Sequence, residues 1–497
     1  MVNAFISFVK SFSLITLSFV MVTEVLAEPW IDTRDVWLRS DIERLSQAGV
    51  ITVPINTWPL MWSGILNDLE STDIGSVPEA VKGSYARVLG AGKKATRSDE
   101  YHRSARLSVA TESQLFRHFG DNTREEGELS LRSNGMSDHF AWNIELARVQ
   151  DPLDGEDNRY DHSYLGLVLG NWIVLGGRIE KWWGPGWSSN LSLTNNARPP
   201  LGFTLQRNYS DPFDYPVLKW LGPWTTNLFI SELDDQRVIN DAKLVGMTVG
   251  FRPHQSVELN LRRTAQWGGE GRPQSFSNFI KLVLANSDNC PDLDCKPNEP
   301  GNQLAGADFR WDIPWFDGAV YGQMLGEDGS GSLPSKRAYE RGFQYNVHSD
   351  LFEGMVFVEY SNTSTSADPE QRPYNVLYNH SIYQTGYRYE GRSIGATWDN
   401  DSKVTSIGVA GHLFNGDKIE ARFLQGDLNE ESINGAPSLH SITTNGNDFS
   451  MFSAKWQRSF HWGDIEVQSS YADKLVDEFG RQDDKFRVSA SLVYRFE

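Results

Sequence analysis

Apolar and polar residues alternate with a period of two over most of the chain beyond Tyr101. Val257, Leu259 and Leu261 are interleaved with Glu258, Asn260 and Arg262. Val245, Met247, Val249 and Phe251 alternate with small or mixed residues, and Ile419, Ala421 and Phe423 with Glu420, Arg422 and Leu424. The terminal run places Phe486, Val488, Ala490, Leu492, Tyr494 and Phe496 between Arg487, Ser489, Ser491, Val493, Arg495 and Glu497. Successive side chains of a strand point to opposite faces, so each segment has one apolar face and one polar or charged face.

A soluble β-sandwich shows the same alternation. The connections separate the two. Tight turns are predicted at Gly170-Asn171, His254-Gln255, Phe316-Asp317-Gly318, Glu353-Gly354, Asn415-Gly416-Asp417 and His461-Trp462-Gly463-Asp464. Between them lie long polar stretches: 151–161, 267–275, 327–341, 363–379 and 428–445. Alternating short turns and long loops mark a transmembrane barrel, with short turns at the periplasmic end and long loops outside. The expected fold is therefore mainly β: a transmembrane antiparallel β-barrel over residues 96–497. At ~10 residues per strand it has roughly 16–18 strands. A barrel this wide encloses an aqueous lumen unless loops or another segment fill it.

The period changes to that of a helix over residues 28–95. Thr33-Arg34-Asp35 precedes Leu38, Ile42 and Leu45, with Gly49 as the stop. Pro59 opens a second helix through Leu60, Ile65 and Leu69, and Pro78 a third through Val81, Tyr85, Val88 and Leu89. Three short helices make a small domain that needs a larger body to dock on. It is placed in the periplasm. Residues 1–27 read as a signal peptide: the apolar run Phe12 to Val22 is short, and Val25-Leu26-Ala27 suits cleavage after Ala27.

The mean hydropathy is −0.45, yet aromatics make up 12% and the chain carries 17 Trp and 43 Gly. A barrel gives this combination, because its lumen face dilutes its lipid face in any window average. The formal net charge of −19 disfavours a nucleic-acid partner. Cys290 and Cys295, in Asn-Cys-Pro-Asp-Leu-Asp-Cys-Lys, read as a loop disulfide in an exported chain. Two thiolates without a nearby His cannot complete a zinc shell, and no twelve-residue calcium loop is present, so neither metal nor cofactor is expected.

The densest chemistry lies in Gly177-Arg178-Ile179-Glu180-Lys181-Trp182-Trp183-Gly184-Pro185-Gly186-Trp187, followed by Asn195-Asn196-Ala197-Arg198-Pro199-Pro200. Alternation turns Arg178 and Glu180 toward the lumen, and Gly-Pro-Gly breaks the strand at its outer end. Indole faces stack on sugar C–H faces and guanidinium groups bind hydroxyls or carboxylates. Arg178, Lys181, Trp182, Trp183, Trp187 and Arg198 are thus the candidate polysaccharide-binding residues. The same tryptophans would also suit an interfacial girdle or an inward-folded loop. Catalysis is not expected. His162-Ser163, His348-Ser349, His380-Ser381 and His440-Ser441 are adjacent pairs, and neighbours on a strand face opposite ways.

This segment, with Trp30-Ile31-Asp32, Trp37-Leu38-Arg39-Ser40-Asp41-Ile42-Glu43-Arg44-Leu45 and Pro54-Ile55-Asn56-Thr57-Trp58-Pro59, resembles the capsule assembly protein Wzi family over the whole mature chain. The resemblance implies an 18-stranded, non-catalytic surface lectin tying capsular polysaccharide to the outer membrane. The expected partners are capsular or exopolysaccharide, outer-membrane lipid, and the barrel-assembly machinery during biogenesis, with the protein a monomer. The competing reading is a porin-like channel for carbohydrate uptake.

Overall fold

The computed structural model describes residues 28–97, 102–137, 139–284, 301–330, 333–365, 375–430, 439–482 and 484–496. The proposed signal peptide and the Cys290–Cys295 pair lie outside the described residues.

Eighteen antiparallel strands close into one barrel among the described residues. In chain order they are β1 (His102–Ala110), β2 (Gly127–Met136), β3 (Phe140–Gln150), β4 (Asn158–Arg159 continued by Tyr164–Leu169), β5 (Trp172–Arg178) and β6 (Leu201–Arg207). Next come β7 (Trp224–Glu232), β8 (Lys243–His254), β9 (Val257–Trp267), β10 (Gly301–Asp312), β11 (Gly318–Ser330) and β12 (Leu333–His348). The last six are β13 (Phe352–Asn362), β14 (Lys403–Leu413), β15 (Asp417–Leu428), β16 (Asn447–Phe460), β17 (Gly463–Asp473) and β18 (Phe486–Phe496). Each strand pairs with its sequence neighbour, and β18 closes on β1 with Phe496 opposite Arg103 and Ser489 opposite Ala110. Closure leaves no unpaired edge, which is what a sheet needs in lipid.

The alternation read from the sequence sorts as expected. On β9, Leu259 and Leu261 are exposed while Glu258, Asn260 and Arg262 are buried. The apolar residues face outward and the charged ones inward, the reverse of a soluble fold. No described helix is long and apolar enough to cross a membrane; the crossing is made by strands.

Two expected connections differ. Glu353 and Gly354 lie within β13, and the turn sits one step earlier, between His348 and Phe352. A Cβ at Gly354 would lie 2.3 Å from the Ala410 carbonyl oxygen. That glycine permits close strand approach and does not mark a turn. The stretch 327–341 is also not a loop: β11 and β12 continue as a ladder up to Ser330 opposite Leu333. Its polar, glycine-rich sequence hides a hairpin extending past the lipid, where neither face needs to be apolar.

The N-terminal segment carries three helices: α1 (Val36–Gln47), α2 (Trp62–Ser71) and α3 (Lys82–Ala95). Asp35 caps α1, accepting from the Trp37 and Leu38 amides at 3.0 and 2.9 Å; such a cap is worth about 1 kcal/mol. The second helix starts later than Pro59 suggests, because Leu60 and Met61 pair with Ile31 and Trp30 as a short ladder. Ile42, Leu45, Ile65, Leu69 and Val88 form the helical core.

The opposite face of α1 is charged and is also buried. It plugs the short-turn end of the barrel. Arg39 pairs with Glu43 at 2.7 Å, Glu43 with Arg310 of β10 at 2.5 Å, and Arg44 with Glu353 of β13 at 2.5 Å. Asp41 lies 3.1 Å from His412 of β14 and 2.6 Å from Arg87. Burial alone would raise the Asp41 carboxyl, but hydrogen bonds from Arg87 and His412 and their charge hold it well below the usual range.

Candidate functional site

Strands β5 and β6 are paired with Arg178 opposite Leu201, so residues 179–200 are inserted between two neighbouring strands at the long-loop end. The insertion dives into the lumen. Its backbone meets the helical segment at the centre: Trp182 and Trp183 pair with Trp58 and Thr57, and the Gly184 amide donates to the Asn56 carbonyl at 3.0 Å. Arg39 donates to the Pro185 and Gly186 carbonyls at 2.7 and 2.9 Å. Its guanidinium also covers the Trp187 ring at 4.1 Å.

The barrel wall fixes the rest of the insertion. Glu359 accepts from the Trp187 and Ser188 amides at 2.6 and 3.0 Å. Gln323 accepts from the Leu191 amide at 2.6 Å and donates to the Trp183 carbonyl at 2.9 Å. Gly186 shows why the sequence reads Gly-Pro-Gly: an added Cβ would lie 1.9 Å from a Glu340 oxygen and 2.1 Å from the Ser189 carbonyl oxygen. Gly184 adopts φ 148°, a conformation that side chains rarely reach.

Two further segments fold inward and lock onto the first. From 111–126, Arg117 donates to the Asn195 carbonyl at 2.5 Å and pairs with Glu180 at 3.3 Å. Arg124 donates to the Asn196 carbonyl at 2.6 Å. From 375–402, the Tyr378 and Tyr387 hydroxyls donate to the Leu191 and Ser192 carbonyls at 2.6 and 3.1 Å. A cavity of about 870 Å³ opens at the short-turn end beside Arg34, Arg132 and Glu145. A second cavity, of only about 40 Å³, shares Arg34, Arg106, Asn122 and Glu145 with it and reaches Arg159 and Asp161.

The six candidate residues separate into two levels. Trp182, Trp183 and Trp187 are all 0% exposed, at the centre of the lumen packing, and offer no free ring face to a sugar. Lys181 is half-buried, with its ammonium 4.5 Å above the Phe229 ring and donating to the Ile179 carbonyl; burial draws its pKa down to about 7. Arg178 and Arg198 lie nearer the long-loop end. Arg178 donates to the Tyr389 hydroxyl at 3.0 Å and the Pro199 carbonyl at 3.3 Å. Arg198 is saturated by Asp161, Asp154 and Glu156 at 2.9 to 3.0 Å.

The residues beside Arg178 come from a part of the chain that sequence reading passed over. Arg388-Tyr389 and Arg392-Ser393 form a two-residue hairpin whose turn, Glu390-Gly391, has φ 48° and 71°. Two left-handed residues are what a tight hairpin demands, and the X-Gly dipeptide was the available signal. Burial pushes the Glu390 carboxyl up to about 7, helped by repulsion from Asp234, Asp154 and Glu156.

Fold and site together define a class: a closed, lipid-facing β-barrel whose lumen is packed shut by a helical plug from one end and inserted loops from the other. The chain belongs to the capsule assembly protein Wzi family, whose model matches residues 96–484. A Klebsiella pneumoniae relative, described as an uncharacterized 55.8 kDa protein in the cps region, is 32% identical over 316 residues, covering 62% of this chain. The match spans about 60% of that relative's length. A solved Escherichia coli structure, described as Wzi, an outer membrane protein involved in group 1 capsule assembly and a carbohydrate binding β-barrel, superposes with a TM-score of 0.81 at 24% identity. The superposition covers 95% of this chain and 100% of that one. The likeness supports the fold, including the helical plug, which precedes the family match. The chain is an outer-membrane β-barrel.

Proposed function

We propose that the protein holds capsular or exopolysaccharide at the cell surface without catalysing a reaction on it. The observation that carries this reading is the packed lumen. A carbohydrate channel needs an open path, and here the insertion and the helical plug meet in a short ladder, Trp182 with Trp58 and Trp183 with Thr57, whose four residues are buried. The outer loops are then the surface offered to a polymer. The E. coli structure's description as carbohydrate binding supports the same reading.

Within the candidate set, Arg178 makes the contact, with the half-buried Glu390 on the adjoining hairpin and the buried Tyr389 hydroxyl fixing the guanidinium. Arg198 holds the acidic 154–161 loop beside them. Lys181, Trp182, Trp183 and Trp187 shape the insertion that presents the site. In the same reading, residues 1–27 are removed, residues 28–95 face the periplasm, and residues 96–497 enter lipid as a monomer through the barrel-assembly machinery.

Deleting the chain tests the anchor. Synthesis of the glycan should continue, and the polymer should move from the cell pellet to the medium. A deletion strain that keeps its polymer cell-bound overturns the reading. A purified protein with sustained porin-size conductance in a planar bilayer overturns it in favour of uptake. Amino-terminal sequencing that begins at Met1 removes the processing step.

A further inference from the structure

One amphipathic helix lies outside the barrel. Helix α4 (Phe276–Leu284) follows β9 at the long-loop end. On β9 the outward positions run Leu259, Leu261, Arg263, Ala265 and Trp267, since Leu259 and Leu261 are the exposed members. Phe279 packs on Trp267, with ring centroids 5.2 Å apart in an edge-to-face arrangement. Leu282 reaches within 3.1 Å of where a Cβ would stand on Gly301, which pairs with Trp267 on the neighbouring strand. Ala265 is 5% exposed, against 46% and 60% for Leu259 and Leu261 lower on the same face. The helix therefore rests on the outer wall over β9 and β10.

Its height is set by the strand. Trp267 stands ten residues above Val257 on β9. At about 3.3 Å per residue and a tilt of about 40°, that is roughly 25 Å, the height of the apolar band of an outer-membrane barrel. The charge at that level agrees. Lys243, opposite Trp267 on β8, pairs with Glu232 of β7. The helix lies where lipid tails give way to headgroups.

Its own faces fit that boundary. At 3.6 residues per turn, Phe279 and Leu282 face the wall, Phe276 and Ile280 form the adjacent flank, and Ser277 and Lys281 point the other way. Phe276 is 77% exposed and Ile280 38%, a costly pair in water on a folded helix. We propose that α4 is an in-plane interfacial helix, with Phe276 and Ile280 seated in the acyl chains of the outer leaflet and Lys281 in the headgroup layer. The occupant follows from continuity: the flank extends the lipid-facing surface of Leu259, Leu261 and Phe309 upward.

The test is photocrosslinking of the full chain in native outer membranes. The probe p-benzoylphenylalanine, a close substitute for Phe, is placed singly at positions 276, 280, 281 and 261. Position 261, on the lipid face of β9, is the positive control, and heat-modifiable gel migration confirms each variant is folded. Lipid adducts by mass spectrometry are expected at 276 and 280 as at 261, with loss of the adduct at 281. Adducts at 261 but none at 276 and 280 overturn the proposal. Adducts at 281 equal to those at 276 overturn the orientation.

Discussion

Trp58 and Trp182 lie opposite each other in one short antiparallel ladder, although one comes from the helical plug and the other from an insertion at the far end of the barrel. Phe119 packs on both rings, at 4.8 and 5.5 Å. The two ends of the lumen thus meet in an aromatic contact, beside the Arg39 and Gly184 hydrogen bonds that join the same segments. Burying these indoles restricts three chain segments that would otherwise leave a hydrated pore.

Replacing Trp182 by Ala removes a fully buried ring, a change that costs about 3–5 kcal/mol where the site cannot collapse. The expected outcome is a lower temperature for loss of heat-modifiable migration, and bilayer conductance that rises above the parental trace. A Trp182→Ala protein that keeps both parental values would show that the ladder does not close the lumen. Trp182→Phe should lie between the two.

The docking of α1 rests on buried ions. Arg44 and Glu353 are 2.5 Å apart and both largely out of water. Removing Glu353 leaves the Arg44 guanidinium buried without its carboxylate, which costs about 3–5 kcal/mol. Removing Arg44 costs less, because Arg87 still pairs with Glu353 at 3.0 Å, and removing both costs less than removing Glu353 alone. Arg44→Met and Glu353→Gln should each lower the transition temperature, and the double variant should recover part of the loss. Strict additivity would mean the pair does not couple the plug to β13.

Much of this fold was legible because the lipid imposes a simple rule. Outward positions of β9, β15 and β18 must be apolar, so the period survives in the sequence. Tight turns such as Gly170-Asn171 and Asn415-Gly416-Asp417 were legible for the same local reason: left-handed backbone at Gly170 and Gly416. The lumen was not. Arg39 and Gly186 are 147 residues apart, and Arg44 and Glu353 309. Nothing local marks which charged residue on an inward face meets which. The tryptophans advertised burial and binding equally, because a ring that stacks on a sugar also packs on Phe119. The Glu390-Gly391 hairpin failed to stand out for lack of any flanking apolar alternation.

Lys181 gives a pH signature. Its pKa falls from the ordinary 10.5 to about 7 in the folded protein. The unfolded chain therefore binds the extra proton between those values, and stability rises with pH across that window. Below about 7 both states are protonated and the full penalty of the buried charge remains. Lys181→Met should raise the transition temperature most at pH 6, and the gain should shrink as pH climbs toward 10. A gain independent of pH would assign the effect to packing against Phe229 and not to charge.

The outer cluster makes the sharpest statement about function. Arg178 bonds the Tyr389 hydroxyl at the long-loop end, Glu390 follows Tyr389 in the same hairpin, and the Glu390 carboxyl is pushed up to about 7 because burial and three neighbouring carboxylates oppose its charge. Its folded pKa lies above the ordinary 4.5, so the site gains a negative charge as pH rises through about 7. An acidic polymer is repelled by that charge and attracted by Arg178. A long polymer is held by many weak contacts, so a small change per site is multiplied along the chain. Cell-bound glycan should therefore fall between pH 6 and pH 8 in the parent. Glu390→Gln should flatten that dependence, and Arg178→Gln should lower retention at both values while leaving heat-modifiable migration unchanged. Folded Arg178→Gln cells that retain glycan at the parental level would remove this cluster from the binding surface. A parental retention curve that is flat with pH, alongside a lowered Arg178→Gln curve, would keep Arg178 as the contact and remove Glu390 from the pH response.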